Sequence, residues 1–292
     1  MKILITGGSG FIGRNLAQQY APPFVVAAPN RTQLDLLDTD AVRVYLERHR
    51  FDAVIHAASE RSNRGLASSP ALLDRNCRMF FNLARNSHAF GRMLFLSSGA
   101  VYSREHWIPR MSEDYFDAHV PADDYGFSKY VCAKAVESMD RVYDLRLFGV
   151  FGPHEDWRVR FISNACCRAV CGLPVVVRQN ARFDYLDVED LGWILECFLA
   201  KPLQHRQYNV CTGRSLDLLT LAQKVVRASG QDLPIVVKKE GMGTECSGDA
   251  ARMLAEIPDF QFREIDDSIA RLYRWYEERK EFIDPALLSF DE

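Results

Sequence analysis

Short apolar runs alternate with longer amphipathic stretches along the first half of the chain. Five runs have the length and composition of buried strands, at residues 2–6, 24–28, 53–57, 93–97 and 145–148. Four stretches have helical spacing of their apolar residues, at 11–20, 39–50, 69–90 and 123–142. Strands that alternate with helices predict an α/β fold, in which helices cover both faces of a doubly wound parallel sheet.

The alternation becomes looser after Pro153, which predicts a smaller second unit. Here we expect a strand from residue 183 that leads into a helix ending near 200, other strands at 174–177, 207–210 and 234–237, and helices near 158–172, 217–229, 249–256 and 265–280. The predicted division is a first domain of residues 1–148 plus 183–211, a lobe of residues 149–182 plus 212–283, and a flexible tail at 284–292.

Composition and charge narrow the class of protein. Of the 292 residues 48% are hydrophobic, which is enough for a sizeable core, and the net charge of −3 gives no reason to expect nucleic acid or anionic lipid as a partner. No apolar run approaches the ~20 residues that span a bilayer, and no signal peptide precedes the first strand, so we expect a cytoplasmic protein. The eight cysteines form no Cys-x-x-Cys pair, which predicts reduced thiols and no metal site.

A glycine-rich turn joins the first predicted strand to the first helix. Residues 6–13 read TGGSGFIG, and the glycines suit a tight turn, a close approach of backbone to a pyrophosphate and close helix–strand packing. The free N–H groups and the positive end of the helix would face the phosphates. The alternative is a tight turn without a ligand. The predicted dinucleotide contacts here are Gly7, Ser9, Gly10, Phe11, Ile12 and Gly13.

Further chemistry is expected at the carboxyl ends of the strands, because ligands of parallel sheets lie there. These segments are residues 7–13, 30–31, 57–61, 98–102 and 148–153. Ser98 ends the fourth strand, where its hydroxyl can donate a hydrogen bond into a cleft. The alternative for Ser98 is a turn cap.

Tyr125 and Lys129 are four residues apart at the start of a predicted helix, which puts them on one face. An ammonium group near a phenol favours the phenolate and lowers the pKa of the tyrosine, which can then exchange a proton near neutral pH. Tyr276 and Lys280 have the same spacing, but we interpret them as an exposed helix face without chemistry. Together with Ser98, the first pair suits the interconversion of a carbonyl and an alcohol.

Eight motifs occur in the order of a known family. They are TGGSGFIG at 6–13, DLLD at 35–38, HAA at 56–58, Asn76, LSSGAVY at 96–102, YGFSK at 125–129, RLFGVFGP at 146–153 and FDYLDVED at 183–190. On these motifs the chain resembles the extended short-chain dehydrogenase/reductases, in the branch of nucleotide-sugar epimerases, dehydratases and reductases. The resemblance implies a Rossmann fold with a smaller C-terminal substrate-binding lobe, NAD(P) as cofactor and a nucleotide sugar as substrate.

The resemblance also implies roles for individual residues. Ser98, Tyr125 and Lys129 would be catalytic. Tyr125 and Lys129 would also contact the cofactor, and Lys129 would hold the nicotinamide ribose. Asp35 and Leu36 would flank the adenine. The other implied cofactor contacts are Ala57, Ala58, Ser59, Asn76, Leu96 and Phe148, and the implied substrate contacts are Ser98, Gly99, Ala100, Gly149 and Asn164.

Departures from the family pattern narrow the predicted reaction. The 4,6-dehydratases carry an Asp-Glu pair directly after the catalytic hydroxyl residue, where this chain has Gly99 and Ala100. Residues 31–38 and 152–156 are similar to GDP-fucose synthase, which epimerises with a cysteine two places after its catalytic serine; this chain has Ala100 there. The predicted reaction is therefore hydride transfer to C4 of a nucleotide-linked 4-keto-(6-deoxy)sugar.

One polar contact of the family is missing. The Arg-x-x-Asn motif begins here at Arg146 and ends in Gly149. We expect Asn164, in the helix that follows, to supply the replacement contact; the alternative is an asparagine on the helix surface.

The end of the second predicted strand favours NADP as the cofactor. Folds that prefer NAD place an acid there to hold the ribose hydroxyls, whereas this chain has Asn30 and Arg31, with no acid before Asp35. A guanidinium suits a 2′-phosphate, so Asn30 and Arg31 are predicted cofactor contacts. The alternative is an exposed loop arginine, with NAD as the cofactor.

Three other functions fit the same residues: a nucleotide-sugar 4-epimerase that holds NAD tightly, a regulatory protein that senses NADP, and a reductase of a plain ketone or aldehyde. We also expect a homodimer through the helices at 69–90 and 123–142, unless both helices only cover the sheet. The apolar residues expected at that contact are Cys77, Phe80, Phe81, Leu83, Ala84, Val131, Cys132, Ala135 and Val136.

Overall fold

The structure, a computed structural model, describes residues 1–20, 22–60 and 71–289. Its strands are β1 (Lys2–Thr6), β2 (Val25–Ala27), β3 (Phe51–His56), β4 (Phe90–Ser98), β5 (Val142–Leu147), β6 (Gly149–Phe151), β7 (Val175–Asn180), β8 (Arg182–Asp187), β9 (Gln207–Val210), β10 (Ser215–Asp217) and β11 (Ile235–Met242). Its α-helices are α1 (Phe11–Gln19), α2 (Thr39–His49), α3 (Leu72–Ala84), α4 (Asp124–Val136), α5 (Phe161–Val170), α6 (Val188–Ala200), α7 (Leu218–Ser229), α8 (Ala251–Glu256) and α9 (Ile265–Glu277). None of the helices in the described ranges combines the length and the apolar character that crossing a membrane requires.

Six strands form a parallel central sheet in the order β2-β1-β3-β4-β5-β9. The order reverses at β1, which has β2 on one side and β3 on the other, and such a switch point opens a crevice at the carboxyl ends of the strands. Helices α1, α6 and α8 pack on one face, and α2, α3 and α4 pack on the other. The predicted doubly wound α/β fold is confirmed.

The residues of β4 show why the sequence pattern produces this sheet. Leu94 and Leu96 belong to the core on the α1 and α6 side, while Met93 and Phe95 belong to the core on the α3 and α4 side. Because both faces are covered, successive residues are all apolar, as in other buried parallel strands. The strand ends at Ser98, which is thereby placed at the carboxyl edge of the sheet.

The second unit contains two small sheets and its own core. β6 and β10 flank β8 in a three-stranded sheet, and β7 pairs with β11 in a two-stranded one. Helices α5, α7 and α9 pack together around a separate apolar cluster. The sequence pattern does not predict β6 and β10, because three residues are too few to show an alternation.

We propose the division of the chain that the sequence predicts, with two changes. Met253 and Ile257, in and after α8, pack in the core of the central sheet rather than in the lobe. Residues of the expected flexible tail form a 3-10 turn, Pro285–Ser289, in which Leu288 is buried and its carbonyl accepts a hydrogen bond from Arg168 at 2.9 Å. This part of the tail is packed rather than frayed, and residues 290–292 lie outside the described residues.

Several helices are shorter than the sequence predicts, most clearly α3 and α4. α3 begins at Leu72, and residues 69–70 lie outside the described residues. α4 ends at Val136, because Val142 already belongs to β5, where it is fully buried and pairs with Met93. Of the residues expected at a dimer contact, those buried within the chain are Phe80, Leu83, Ala84, Cys132 and Val136, and those left partly exposed are Cys77, Phe81, Val131 and Ala135.

A buried charged pair connects the last strands of the central sheet. Arg146 and Asp144 of β5 are fully buried, and Arg146 Nε donates to the Asp144 carboxylate at 2.7 Å. Arg146 Nη1 donates to the Tyr102 hydroxyl at 2.9 Å, and that hydroxyl donates to the amide oxygen of Asn209 on β9 at 2.6 Å. This network ties the turn after β4 to β5 and β9.

Asp144→Asn should lower the free energy of unfolding by about 3–5 kcal/mol, because it leaves the buried charge of Arg146 without its partner. Urea denaturation measures the change. The matched control is Asp156→Asn, which breaks an exposed pair with Arg158 and should cost at most about 1 kcal/mol. Equal losses in the two variants would contradict the role given to the buried pair.

Candidate active site

The turn between β1 and α1 has the shape that a dinucleotide pyrophosphate requires. Gly7 has a φ of +72°, and a Cβ at Gly13 would lie 2.3 Å from the Gly7 carbonyl oxygen, so both positions need glycine. Gly10 caps α1 without a side-chain hydrogen bond, and the first turn of the helix carries no acid. The N–H groups and the positive end of α1 are therefore available to phosphates, and this turn fits NAD(P). The other predicted contacts here are the exposed Ser9, the half-buried Phe11 and the buried Ile12.

A buried histidine lies beneath this turn at the end of β3. Thr6 Oγ1 and His56 Nδ1 are hydrogen-bonded at 2.8 Å. Burial, together with the nearby charge of Lys129, lowers the pKa of His56 to about 3, so the ring is neutral at physiological pH. A Cβ at Gly7 would lie 2.8 Å from the backbone nitrogen of Ala58, which shows that the glycine turn and the end of β3 are in contact.

The loop after β2 carries the predicted adenine and phosphate contacts. The Arg31 side chain is 65% exposed, and its Nη2 lies 3.6 Å from Asp35 Oδ2. The Asn30 side-chain oxygen accepts two backbone N–H groups of the same loop, at 3.0 and 3.1 Å, so it shapes the loop. Leu36 is buried under the loop. Arg31 is thus an exposed cation after β2, and its pair with Asp35 is a weak surface one.

Asn76 lies on α3, and its side-chain oxygen and nitrogen both form hydrogen bonds within the protein. Its Oδ1 accepts the Glu60 N–H at 2.8 Å, and its Nδ2 donates to the Glu60 carbonyl at 3.0 Å and to Ser128 Oγ at 3.3 Å. Asn76 therefore fastens the segment after β3, which includes Ser59, to α4; its direct contact with a cofactor stays a prediction. Arg61, at the end of that segment, lies outside the described residues.

Tyr125 and Lys129 lie on one face of α4, as their spacing predicts. Asp123 caps this helix by accepting the Gly126 N–H at 2.9 Å, which places Tyr125 in the first turn. Tyr125 is 9% exposed and Lys129 is 2% exposed. The Lys129 ammonium lies 5.6 Å from the centre of the Tyr125 ring and 4.8 Å from that of Phe95. Within the described part of the chain it has no hydrogen-bond or ion-pair partner.

Ser98 lies at the end of β4, beside the start of α4. Its Oγ accepts the Ala100 N–H at 3.2 Å, which leaves its O–H to donate elsewhere. Ala100 packs against Tyr125, and a Cβ at Gly126 would lie 3.0 Å from the Ala100 carbonyl oxygen, so the turn and the helix are in direct contact. The structure thus brings Ser98, Tyr125 and Lys129 to one end of the sheet.

Phe148 fills the space behind the Ser98 turn. Its ring lies between two glycines, because a Cβ at Gly99 or at Gly248 would come within 2.9 or 2.5 Å of it. An acidic side chain at position 99 would therefore displace the ring. Leu96, the other predicted contact of this region, is buried in the core on the α1 side.

The predicted substrate contacts of the second unit are Gly149 and Asn164. A Cβ at Gly149 would lie 2.6 Å from the Asp184 carbonyl oxygen, so the close packing of β6 on β8 leaves no room for the asparagine of the family motif. Asn164 lies on α5 and is only 9% exposed, so it is not a helix-surface residue. Its Nδ2 donates to the Arg158 carbonyl at 3.4 Å, and its contact with a substrate stays a prediction.

The structure corrects one interpretation and adds one residue. The interpretation of Tyr276 as exposed is wrong: it is 3% exposed, because α9 turns this side chain into the core of the second unit. No motif of the sequence singles out Arg104, yet its guanidinium carbon lies 5.9 Å from the centre of the Tyr125 ring. The available signal was its position just after the strand-end motif at 96–102.

Known proteins are similar to this chain in sequence and in fold. The profile of the NAD dependent epimerase/dehydratase family matches residues 3–211. An ADP-L-glycero-D-manno-heptose-6-epimerase of Pseudomonas paraeruginosa is 27% identical over 81% of this chain and 82% of its own length. A GDP-L-fucose synthase of Azorhizobium caulinodans is 26% identical over 94% of this chain and 96% of its own. The structure of RMD from Pseudomonas aeruginosa complexed with NADPH has a TM-score of 0.79 at 25% identity, covering 95% of this chain and 99% of that one.

The family profile covers the glycine turn, Ser98, Tyr125 and Lys129, so it spans the site that the structure assembles. The resemblance inferred from the motifs is confirmed. The chain belongs to the NAD dependent epimerase/dehydratase family and is an NAD(P)-dependent enzyme of the extended short-chain dehydrogenase/reductase type.

Proposed function

We propose that this protein reduces a nucleotide-linked 4-keto-(6-deoxy)sugar with NADPH. The observation that carries the proposal is the convergence of Ser98, Tyr125 and Lys129 beside a glycine turn that fits a dinucleotide. Support for the substrate class comes from relatives that are named for nucleotide sugars, among them a GDP-L-fucose synthase.

The three residues have separate tasks in this reaction. Ser98 donates a hydrogen bond to the carbonyl oxygen, since its own oxygen already accepts from Ala100. Tyr125 donates its phenolic proton to the same oxygen as the alcohol forms. The bound cofactor supplies the hydride that C4 receives. Lys129 stabilises the phenolate that remains on Tyr125, because its ammonium lies close to the ring.

The surroundings of Lys129 keep its effect directed at Tyr125. No carboxylate among the described residues pairs with the ammonium, so its charge is not neutralised locally. The neighbouring His56 stays neutral because its pKa is near 3, and it therefore adds no competing charge. A phenolate at Tyr125 is the anion that this charge would stabilise most directly.

The residues beside Ser98 favour simple reduction over dehydration. Gly99 and Ala100 offer no acid or base for the elimination of water, and Phe148 occupies the space that a side chain at 99 would need. Ala100 also stands where GDP-fucose synthase has the cysteine of its epimerisation step. Hydride transfer needs neither group.

A 4-epimerase that holds NAD tightly is the second candidate. It is favoured by a relative named as a UDP-glucose 4-epimerase, from Mus musculus, which is 23% identical over 94% of this chain and 96% of its own length. Ser98, Tyr125 and Lys129 would serve this reaction equally. A reductase releases its oxidised cofactor after each turnover, whereas such an epimerase would purify with NAD bound. A regulatory NADP sensor would not need the Tyr125–Lys129 pair, so this pair argues against that alternative.

Arg31 supports NADPH as the cofactor. It is an exposed cation at the end of β2, and the loop presents no acid before Asp35. The 3.6 Å pair with Asp35 is exposed and weak, so exchanging it for a 2′-phosphate costs little.

We also propose a homodimer in which α3 and α4 supply the contact. Cys77, Phe81, Val131 and Ala135 remain partly exposed on these helices after the sheet is covered. This surface is smaller than the sequence predicts, because the other apolar residues of both helices face the sheet. The mass of the protein in solution is the direct measure of its oligomeric state.

Tyr125→Phe should lower the turnover number by about 10²- to 10⁴-fold, because it removes the proton donor, and should leave cofactor binding almost unchanged. Steady-state kinetics and a cofactor titration measure the two effects. The control is Tyr276→Phe, which alters a buried tyrosine of the second unit and should keep its activity. A Tyr125→Phe enzyme with more than half of the wild-type rate would refute the assignment.

Arg31→Ala should weaken the binding of NADPH by about 1.5–3 kcal/mol and leave the binding of NADH almost unchanged. The reason is that NADPH has a 2′-phosphate for the guanidinium to bind, and NADH lacks it. Titrations of the wild-type protein and of Arg31→Ala with each cofactor measure this difference. Arg43→Ala is a matched control, since Arg43 is an exposed arginine of α2 that pairs with Asp40 and Glu47. Equal use of both cofactors by the wild-type enzyme would remove the NADP proposal.

CDP-, GDP-, dTDP- and UDP-linked 4-keto sugars, offered with NADPH, test the proposed function. At least one should be reduced, with oxidation of NADPH seen as a loss of absorbance and an alcohol at C4 of the product. If the protein reduces a sugar-free ketone but none of these substrates, it is a plain ketone reductase. Tightly retained NAD and reversible change at C4 would instead establish the epimerase.

A further inference from the structure

Residues 103–110, here called the rim segment, lie beside the candidate active site and are held at both ends. Tyr102, just before the segment, is buried and bonded to Asn209 and Arg146. Met111, just after it, is buried and hydrogen-bonded through its backbone to Ser247 at 3.0 Å. The rim segment therefore has fixed anchors on the buried network of the central sheet.

The rim segment is also tied to the turn that carries Ser98. Trp107 Nε1 donates to the Gly99 carbonyl at 3.3 Å. Ser103, at its start, is buried with a φ of +59°, a conformation that the surrounding structure must hold. These contacts bring the exposed Arg104 to 5.9 Å from the centre of the Tyr125 ring.

The guanidinium of Arg104 has no carboxylate partner in the described part of the chain. Arg110, in the same segment, does have one, because its Nη2 lies 3.9 Å from Asp249. Cys246 also lies near Arg104: burial raises the pKa of its thiol to about 12, and the Arg104 charge acts in the opposite direction. Arg104 therefore lies close to both Tyr125 and Cys246, and no carboxylate of the described residues neutralises its charge.

We propose that Arg104 binds an oxyanion of the substrate while the reacting carbonyl lies against Tyr125. A guanidinium matches the two oxygens of a phosphate or a carboxylate, so the ligand group is either the diphosphate of the nucleotide or a carboxylate on the sugar. The inference rests on the proposed nucleotide-sugar function for the identity of this substrate. It makes Arg104 a residue that selects substrates by a negative charge close to the reacting carbonyl.

Calorimetric titration of the NADP⁺-loaded protein tests this. The probes are UDP, GDP, CDP, dTDP, UDP-glucose, UDP-glucuronate and inorganic pyrophosphate. For the probes that the wild-type protein binds, Arg104→Ala should weaken binding by about 10- to 100-fold, and Arg104→Lys by less. Added salt should weaken binding to the wild-type protein more than to Arg104→Ala. Arg110→Ala, the control from the same segment, should bind as the wild type does.

The probes separate the two sources of the anion. A loss that is equal for UDP, UDP-glucose and UDP-glucuronate assigns Arg104 to the diphosphate, and a loss confined to UDP-glucuronate assigns it to a sugar carboxylate. Unchanged binding in Arg104→Ala, or a wild-type protein that binds none of these anions, overturns the proposal. Reduction of a 4-keto sugar without dependence on Arg104 would overturn this inference alone. If pyrophosphate binds through Arg104 but none of the nucleotides or nucleotide sugars binds, the proposed nucleotide-sugar function is wrong instead.

Discussion

The candidate site depends on a buried ammonium group, that of Lys129, which no carboxylate of the described residues neutralises. Removing such a charge from water costs several kcal/mol in a real protein. Within the described residues, Lys129 offsets this cost with the ring faces of Phe95 and Tyr125. The balance improves when Tyr125 gives up its proton, because a phenolate then faces the ammonium. We propose that the site thereby favours the state in which the proton has left Tyr125.

The register of the central sheet places the rings of His56 and Phe95, here called the floor of the site, beside that ammonium. His56 of β3 pairs with Phe95 of β4, and their rings are stacked 5.5 Å apart. A charged imidazole here would repel Lys129, and burial prevents it from forming. The hydrogen bond to Thr6 also fastens this floor to the strand that leads into the glycine turn. One register thus sets both the electrostatics at Tyr125 and the position of the cofactor turn.

The sequence predicts the parts of this structure that repeat a pattern. The apolar runs predict the parallel strands, and the spacing of Tyr125 and Lys129 predicts a shared face. Patterns fail where a contact from elsewhere in the chain decides, as for Tyr276, which the core of the second unit buries. They also fail for Gly149, whose need for glycine comes from the backbone of β8. Arg104 escapes notice because its place beside Tyr125 depends on how the rim segment is anchored.

Three positive charges near the candidate site differ in whether a carboxylate pairs with them. Arg146 is buried and pairs with the Asp144 carboxylate at 2.7 Å. It also donates to the Tyr102 hydroxyl, so it ties β5 to the turn that follows Ser98. Lys129 and Arg104 have no such partner among the described residues, although both lie within 6 Å of the Tyr125 ring. We propose that these two charges face anions of the reacting complex: the Tyr125 phenolate for Lys129, and an oxyanion that the bound substrate brings for Arg104.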